Sequence, residues 1–206
     1  MMTENVTVFD KVFDAQKSFT AIMNAFTFPG RIARLDMKRF VLDVEDRYAF
    51  AASILTALCG PESLLGFSSD IGREQSDTLL KISGAQRSAA KEAHFYLFDG
   101  AAYDAGVCEI GRGTLEYPEK STTAIILVNA LSDAGTRADT DSYEVRGPGV
   151  NGTLQFHVSG LNREYIRIRE ELNDVYPMGV DYLLCAGDGA LCGLPRTSSC
   201  TLCKGR

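Results

Sequence analysis

Four arginines of this 206-residue sequence touch Gly- or Pro-bearing turn segments: Arg31 in P-G-R, Arg112 in G-R-G, Arg146 in R-G-P-G and Arg196 in P-R-T. A guanidinium carries five donors in a planar fork. Beside a tight turn it can tie down loop carbonyls, pair with a buried carboxylate or grip a phosphate. Loop pinning or a structural ion pair is the favoured reading, with ligand binding the alternative. In Arg146-Gly147-Pro148-Gly149 the proline fixes its own φ and pushes Gly147 toward extended geometry, while Gly149 is free to take a positive φ. The segment is a sharp turn. Its backbone N–H groups could cradle an anion, but Pro148 removes one donor, so a plain structural turn is favoured.

The remaining chemistry-bearing residues are sparse. His94 and His157 are the two histidines, both in apolar, strand-like runs without a local Ser, Asp or Cys constellation to make them catalytic or metal-binding. Of the seven lysines, at 11, 17, 38, 81, 91, 120 and 204, Lys81 alone has apolar neighbours on both sides. Helical spacing places it opposite Leu79 and Ile82, facing solvent, so no lysine is placed to form a Schiff base with pyridoxal phosphate. No dinucleotide fingerprint, P-loop, zinc-protease helix or nucleophile elbow occurs. Cys192, Cys200 and Cys203 cluster near the end, the last two in C-x-x-C spacing. They make a weak metal set, because a closed zinc site requires four ligands. A flexible tail over about 198–206 is expected, with a metal or iron–sulfur contact shared with a partner, or a disulfide, as alternatives. Cys59, Cys108 and Cys185 lie in apolar stretches and read as core.

The elements that must position these residues mix two periods. Phe9, Val12, Phe13, Phe19, Ile22, Met23 and Phe26 recur at steps of three and four, with one wider gap at Gln16, predicting an amphipathic helix that Pro29-Gly30 ends. A second helix runs from Asp46, as N-cap, to Leu58, and a third from about Asp70 to Ile82. After Gly84, strands are expected at 94–98, 123–128, 142–145 and 154–158. Asn162 caps a further helix that stops at Tyr176-Pro177, and 180–185 with 190–194 form a hairpin around Asp188-Gly189. The expected architecture is a single α/β domain over 1–206 with a mixed sheet flanked by helices.

Composition bounds the function. Apolar residues are 45% and charged residues 23%, as in ordinary globular chains, and 21 basic against 27 acidic residues give a net charge of -6. Without a basic cluster, nucleic acid is not an expected partner. No apolar run is long enough to span a membrane, and residues 1–11 lack the pattern of a secretory signal, so a cytoplasmic address is expected. Leu64, Leu65 and Phe67 follow Gly60-Pro61 in what reads as a connection, where a monomer would leave them wet; with two-fold assembly the commonest outcome, a homodimer is expected.

In order along the chain stand F-T-F-P-G-R, A-H-F-Y-L-F-D-G, G-R-G-T-L-E-Y-P-E-K-S-T-T-A, Y-E-V-R-G-P-G-V, Y-P-M-G-V-D-Y-L-L-C and L-P-R-T-S. The combination resembles the PhnH family, subunits of the bacterial carbon–phosphorus lyase system, over about residues 13–197. The resemblance implies a fold similar to pyridoxal-phosphate-dependent transferases with the cofactor site missing, and no cofactor. It implies a complex with PhnG, PhnI and PhnJ, which makes α-D-ribose 1-methylphosphonate 5-triphosphate from ATP and methylphosphonate before a radical step breaks the C–P bond. This chain is then a required but non-catalytic subunit. An independent phosphonate- or nucleotide-phosphate-binding enzyme or sensor using the turn arginines is one alternative, and a stand-alone homodimeric scaffold another. No catalytic residue is assigned. Arg31, Arg146, Gly147, Pro148, Gly149, Asp181 and Arg196 are the candidates to face a partner or ligand.

Overall fold

The computed structural model describes residues 9–36, 44–133 and 140–203. Residues 1–8, Lys38, Lys204 and the chain beyond 203 lie outside the described residues.

Two hydrophobic runs set the frame. Thr123–Val128 (β5) and Asp181–Ala186 (β9) are almost continuously apolar, as strands buried on both faces must be. They pair in parallel, Ile125 opposite Leu183. Outward from β5 follow Phe95–Asp99 (β4), Leu64–Phe67 (β2) and Gln86–Arg87 (β3), all parallel. Beyond β9 lie the antiparallel Ala190–Leu194 (β10) and then the short edge strand Ala33–Arg34 (β1). The resulting mixed sheet runs β1-β10-β9-β5-β4-β2-β3. A second, antiparallel sheet has the order β11-β7-β8-β6, from Ser199–Leu202, Asp141–Arg146, Leu154–Ser159 and Ala130–Ser132.

Period-two alternation divides the core in two. Leu97, Ile125, Leu127, Leu183 and Leu191 face one way, under the helices Phe13–Thr27 (α1), Asp46–Leu58 (α2) and Arg73–Ser83 (α3). Phe98, Ile126, Tyr182, Leu184 and Cys192 face the other way. There they meet Tyr143, Val145, Phe156 and Val158 of the small sheet and Tyr165, Ile166 and Ile168 of Arg163–Leu172 (α4). The expected α/β domain with a mixed sheet flanked by helices is present, as are the 181–194 hairpin and the Asn162 cap, whose side chain accepts from the Glu164 N–H at 3.0 Å. Among the described residues no helix is long and apolar enough to cross a membrane.

Four expectations are corrected. Ser199–Leu202 are not a frayed tail: they pair with β7, Cys200 opposite Val145, and Cys200 is buried. The pairing joins segments more than fifty residues apart, which no local pattern reveals. Leu64, Leu65 and Phe67 are not a wet connection, because they form β2 between two parallel neighbours, with Leu65 fully buried. The helix predicted from Phe9 starts at Phe13, after Asp10 accepts from the Val12 and Phe13 N–H groups at 2.8 and 2.9 Å. Its bulky apolar residues point outward: Val12, Phe13, Phe19 and Met23 are 71%, 67%, 46% and 46% exposed, while Asp14, Ser18, Ile22 and Ala25 turn inward. Finally, Asp46 is the first residue of α2, and Glu45 holds the cap position without a side-chain bond.

Candidate functional site

The motif segments converge, and most of the convergence is packing. Arg196, in the loop after β10, donates through Nη2 and Nε to the two carboxylate oxygens of Asp181, at 2.6 and 3.3 Å, and through Nη1 to the Pro118 carbonyl at 2.7 Å. It also donates to the Ser121 hydroxyl, and its own backbone N–H donates to Asp181 at 2.7 Å. The G-R-G…P-E-K-S, P-M-G-V-D and L-P-R-T segments are thereby locked together at the leading ends of β5 and β9. Arg112 extends the junction, pairing with Asp174 at 2.5 Å while its carbonyl accepts from the Gly179 N–H at 2.9 Å. Asn173 closes it with two bonds to the Val180 backbone, at 2.7 and 3.2 Å.

Beneath this junction lies a residue whose role the sequence reading did not identify. Arg169 of α4 has no exposed surface. Its Nη2 lies within bonding distance of the carbonyls of Leu194, Pro195 and Ser198 and of the Ser198 hydroxyl, at 3.1, 2.6, 3.2 and 3.1 Å. Nη1 donates to Glu170, which in turn accepts from the Cys200 N–H at 3.2 Å. A signal existed: Ile166, Arg169 and Leu172 share one stripe at steps of three, putting a charge where the helix needs a core residue.

The R-G-P-G turn is a second joint. Gly147 and Gly149 take φ of +140° and +84°, so Gly147 is not extended. A Cβ on Gly147 would lie 2.9 Å from the Ser198 Cα, and one on Gly149 would collide with the Thr27 carbonyl oxygen. The turn therefore wedges between L-P-R-T-S and the F-T-F-P-G-R segment. Pro148 is exposed at its tip, and Arg146 points away to an exposed pair with Glu144 at 2.5 Å. These residues do not join Arg196 and Asp181 in one site.

The cysteines and histidines are similarly absorbed. Burial pushes the Cys192 thiol up to about 12 and raises Cys200 further, so neither is a ready thiolate. Cys203 is half-buried after β11, its thiol raised by burial and by Glu144. Among the described residues no group of three or more His, Cys, Asp or Glu is placed to hold a metal. Of the cysteines expected in the core, Cys185 is buried, Cys59 is partly buried and Cys108 is exposed. His157 Nδ1 bonds the Ser142 hydroxyl opposite it in the small sheet at 2.7 Å, and His94, just before β4, accepts through Nδ1 from the Leu64 N–H at 3.3 Å. Lys81 is exposed, as its helical position predicts.

Arg31 faces open volume. It lines a cleft of about 480 Å³ between α1 and β1, with Gln16, Lys17, Asn24, Phe28 and Arg34. A second cleft, of about 500 Å³, is bounded by Asn162 and by the Asp141–Arg163 pair, whose bidentate bonds measure 2.7 and 2.8 Å.

The motif order that this packing explains also relates the chain to known proteins. A family model described as bacterial phosphonate metabolism protein (PhnH) matches residues 7–201. The α-D-ribose 1-methylphosphonate 5-triphosphate synthase subunit PhnH of Rhizobium meliloti (strain 1021) is 27% identical over 191 residues, covering 92% of this chain and 91% of that protein. A protein of Stutzerimonas stutzeri described as a candidate C-P lyase subunit, HtxG, is 26% identical over 187 residues, 91% of this chain and 86% of its own length. With nearly its whole length matched, the chain belongs to the PhnH family of bacterial phosphonate metabolism proteins.

Proposed function

We propose that this chain is a non-catalytic subunit of an α-D-ribose 1-methylphosphonate 5-triphosphate synthase assembly of the C-P lyase type, working in the cytoplasm with PhnG, PhnI and PhnJ. The match over 7–201, with relatives named as such subunits, carries the reading. Two features of the chain support it. Its motif residues serve as packing joints, Arg196 with Asp181 and Arg169 with the 194–198 loop. The outward face of α1, with Val12, Phe13, Phe19 and Met23 exposed, is the kind of apolar surface that partners cover. The same face is available for a homodimer, now that β2 accounts for Leu64, Leu65 and Phe67. The reading brings with it the likeness to pyridoxal-phosphate-dependent transferases, in which the exposed position of Lys81 fits a chain that does not use the cofactor.

The test is co-expression with PhnG, PhnI and PhnJ, followed by affinity capture and size exclusion with light scattering. Co-elution is expected, weakened by Phe19→Ser with the unfolding midpoint unchanged. A chain that elutes separately from the other three at micromolar concentration defeats the assignment.

A further inference from the structure

Every arginine in the described residues except Arg31 has a carboxylate partner within 4.0 Å: Arg34, Arg47, Arg73, Arg87, Arg112, Arg146, Arg163, Arg167, Arg169 and Arg196 are all paired. Arg31 is held differently. Its guanidinium lies over the Phe28 ring, 5.0 Å from the centroid, and its backbone N–H donates to the Phe28 carbonyl at 3.1 Å. The turn beneath it is rigid. Gly30 takes φ of +81° and, with Pro29, is buried; a Cβ on Gly30 would lie 2.9 Å from Leu154, and Gly149 is packed against Thr27 and Pro29. An arginine on a clamped turn, stacked on an aromatic ring and with its fork unused, is pre-organised to receive an anion.

The surroundings agree. In a chain of net charge -6, the described residues lining the cleft include Lys17, Arg31 and Arg34 and no carboxylate. A concave surface lined by one sign of charge concentrates counter-ions. Among the described residues Lys17 and Arg34 are tied only to Asp14 and Asp188, at 4.0 and 3.2 Å, in pairs of which the cationic side chains are two-thirds exposed. Such pairs are weak and yield readily to a better acceptor. Gln16 and Asn24 add polar groups from α1, Phe28 offers a ring face, and the volume of about 480 Å³ suits a small organic molecule.

We infer that the α1–β1 cleft binds a phosphorus oxyanion carried on an organic body, with Arg31 as the principal anion ligand, Lys17 and Arg34 as supporting charges and Phe28 against the organic part. The anion site rests on Arg31 and the cleft; the choice of phosphorus rests on the proposed function. Phosphate and phosphonate groups share this chemistry, so calorimetric titration uses ATP, methylphosphonate and inorganic phosphate as separate probes. It is run on the full-length chain and on the assembly it copurifies with. Saturable binding of ATP or methylphosphonate in either form is expected, tighter than that of inorganic phosphate. Arg31→Ala should weaken it at least tenfold and Asn24→Asp, which places a carboxylate in the cleft, comparably. Arg146→Ala, whose side chain points away to Glu144, should leave it unchanged, and unfolding midpoints should match the wild type. Absence of saturable binding of all three probes in both forms at millimolar concentration overturns the inference, as does binding that survives both Arg31→Ala and Asn24→Asp. Copurification reports on the complex separately: a chain that assembles but binds no probe loses this inference alone.

Discussion

Truncating Arg169 should release the C-terminal strand from the sheet. Its Nη2 has two hydrogens shared among four oxygens, and the acceptors differ in what they lose. Pro195 keeps two other donors to its carbonyl, the Ser198 N–H at 2.9 Å and hydroxyl at 2.7 Å. The Leu194 and Ser198 carbonyls lose a charged donor in the interior, at about 1–3 kcal/mol each. Glu170 is about one-third exposed and can rehydrate. Relief of the buried guanidinium's own desolvation offsets part of the loss, and the cavity left by the stem adds to it. The net expectation for Arg169→Ala is about 3–5 kcal/mol. Arg169→Met, which keeps the stem, should cost about 1–2 kcal/mol less, each deleted CH₂ being worth about 0.8 kcal/mol. Urea unfolding measures the total. Thiol labelling measures the place, because Cys192 and Cys200 are buried beside this loop and should become reactive when β11 detaches, before global unfolding. A loss below about 1 kcal/mol, with both thiols still protected, would refute the reasoning that Arg169 anchors the 194–202 segment.

Three further outcomes are expected. Arg196→Ala should cost about 2–4 kcal/mol because it strands a partly buried Asp181, and Arg196→Lys should not restore the two-pronged contact, whereas Arg146→Ala, 64% exposed at its side chain, should cost less than about 1 kcal/mol; chemical denaturation of the three variants decides. Gly149→Ala should destabilise the fold by more than about 1 kcal/mol, where a strain-free glycine-to-alanine change would stabilise it slightly, since it meets both a positive φ and the Thr27 carbonyl; chemical denaturation measures it. Burial alone would raise the Asp104 carboxyl, but bonds from the Ser69 N–H, Gly106 N–H and Ser69 hydroxyl outweigh it and hold the group below its ordinary value. Its contribution is therefore complete above the unfolded value, near pH 4, and lost as pH falls through the lower folded value, and Asp104→Asn should flatten that acid limb of the stability curve, measured by denaturation between about pH 2 and 7.

Local patterns in the chain determined the elements whose partners lie nearby or whose burial is two-sided. The continuous apolar runs of β5 and β9 announce interior parallel strands, Asp188-Gly189 turns β9 back onto β10, and Asn162 starts α4. Motif order, likewise visible in the sequence alone, led to the PhnH family. The tertiary structure decided what each motif residue does. R-G-P-G reads locally as a turn, but only the meeting of Thr27, Gly149 and Ser198 makes it a joint. The cysteine tail became a strand because β7, half a sheet away in sequence, offered an unpaired edge. Four residues of β2 are too few to show a period, so their burial depended on β3 and β4 arriving on either side. The apolar period of α1 correctly announced a helix and misdirected its face. Ala25 of α1 packs so closely over β10 that a Cβ on Gly193 would sit 2.6 Å from its backbone, and such an approach admits only small side chains. Phe13, Phe19 and Met23 are turned outward while Ile22 enters the core, because helix spacing is a property of the chain while the distance between a helix and its sheet is set by both surfaces together.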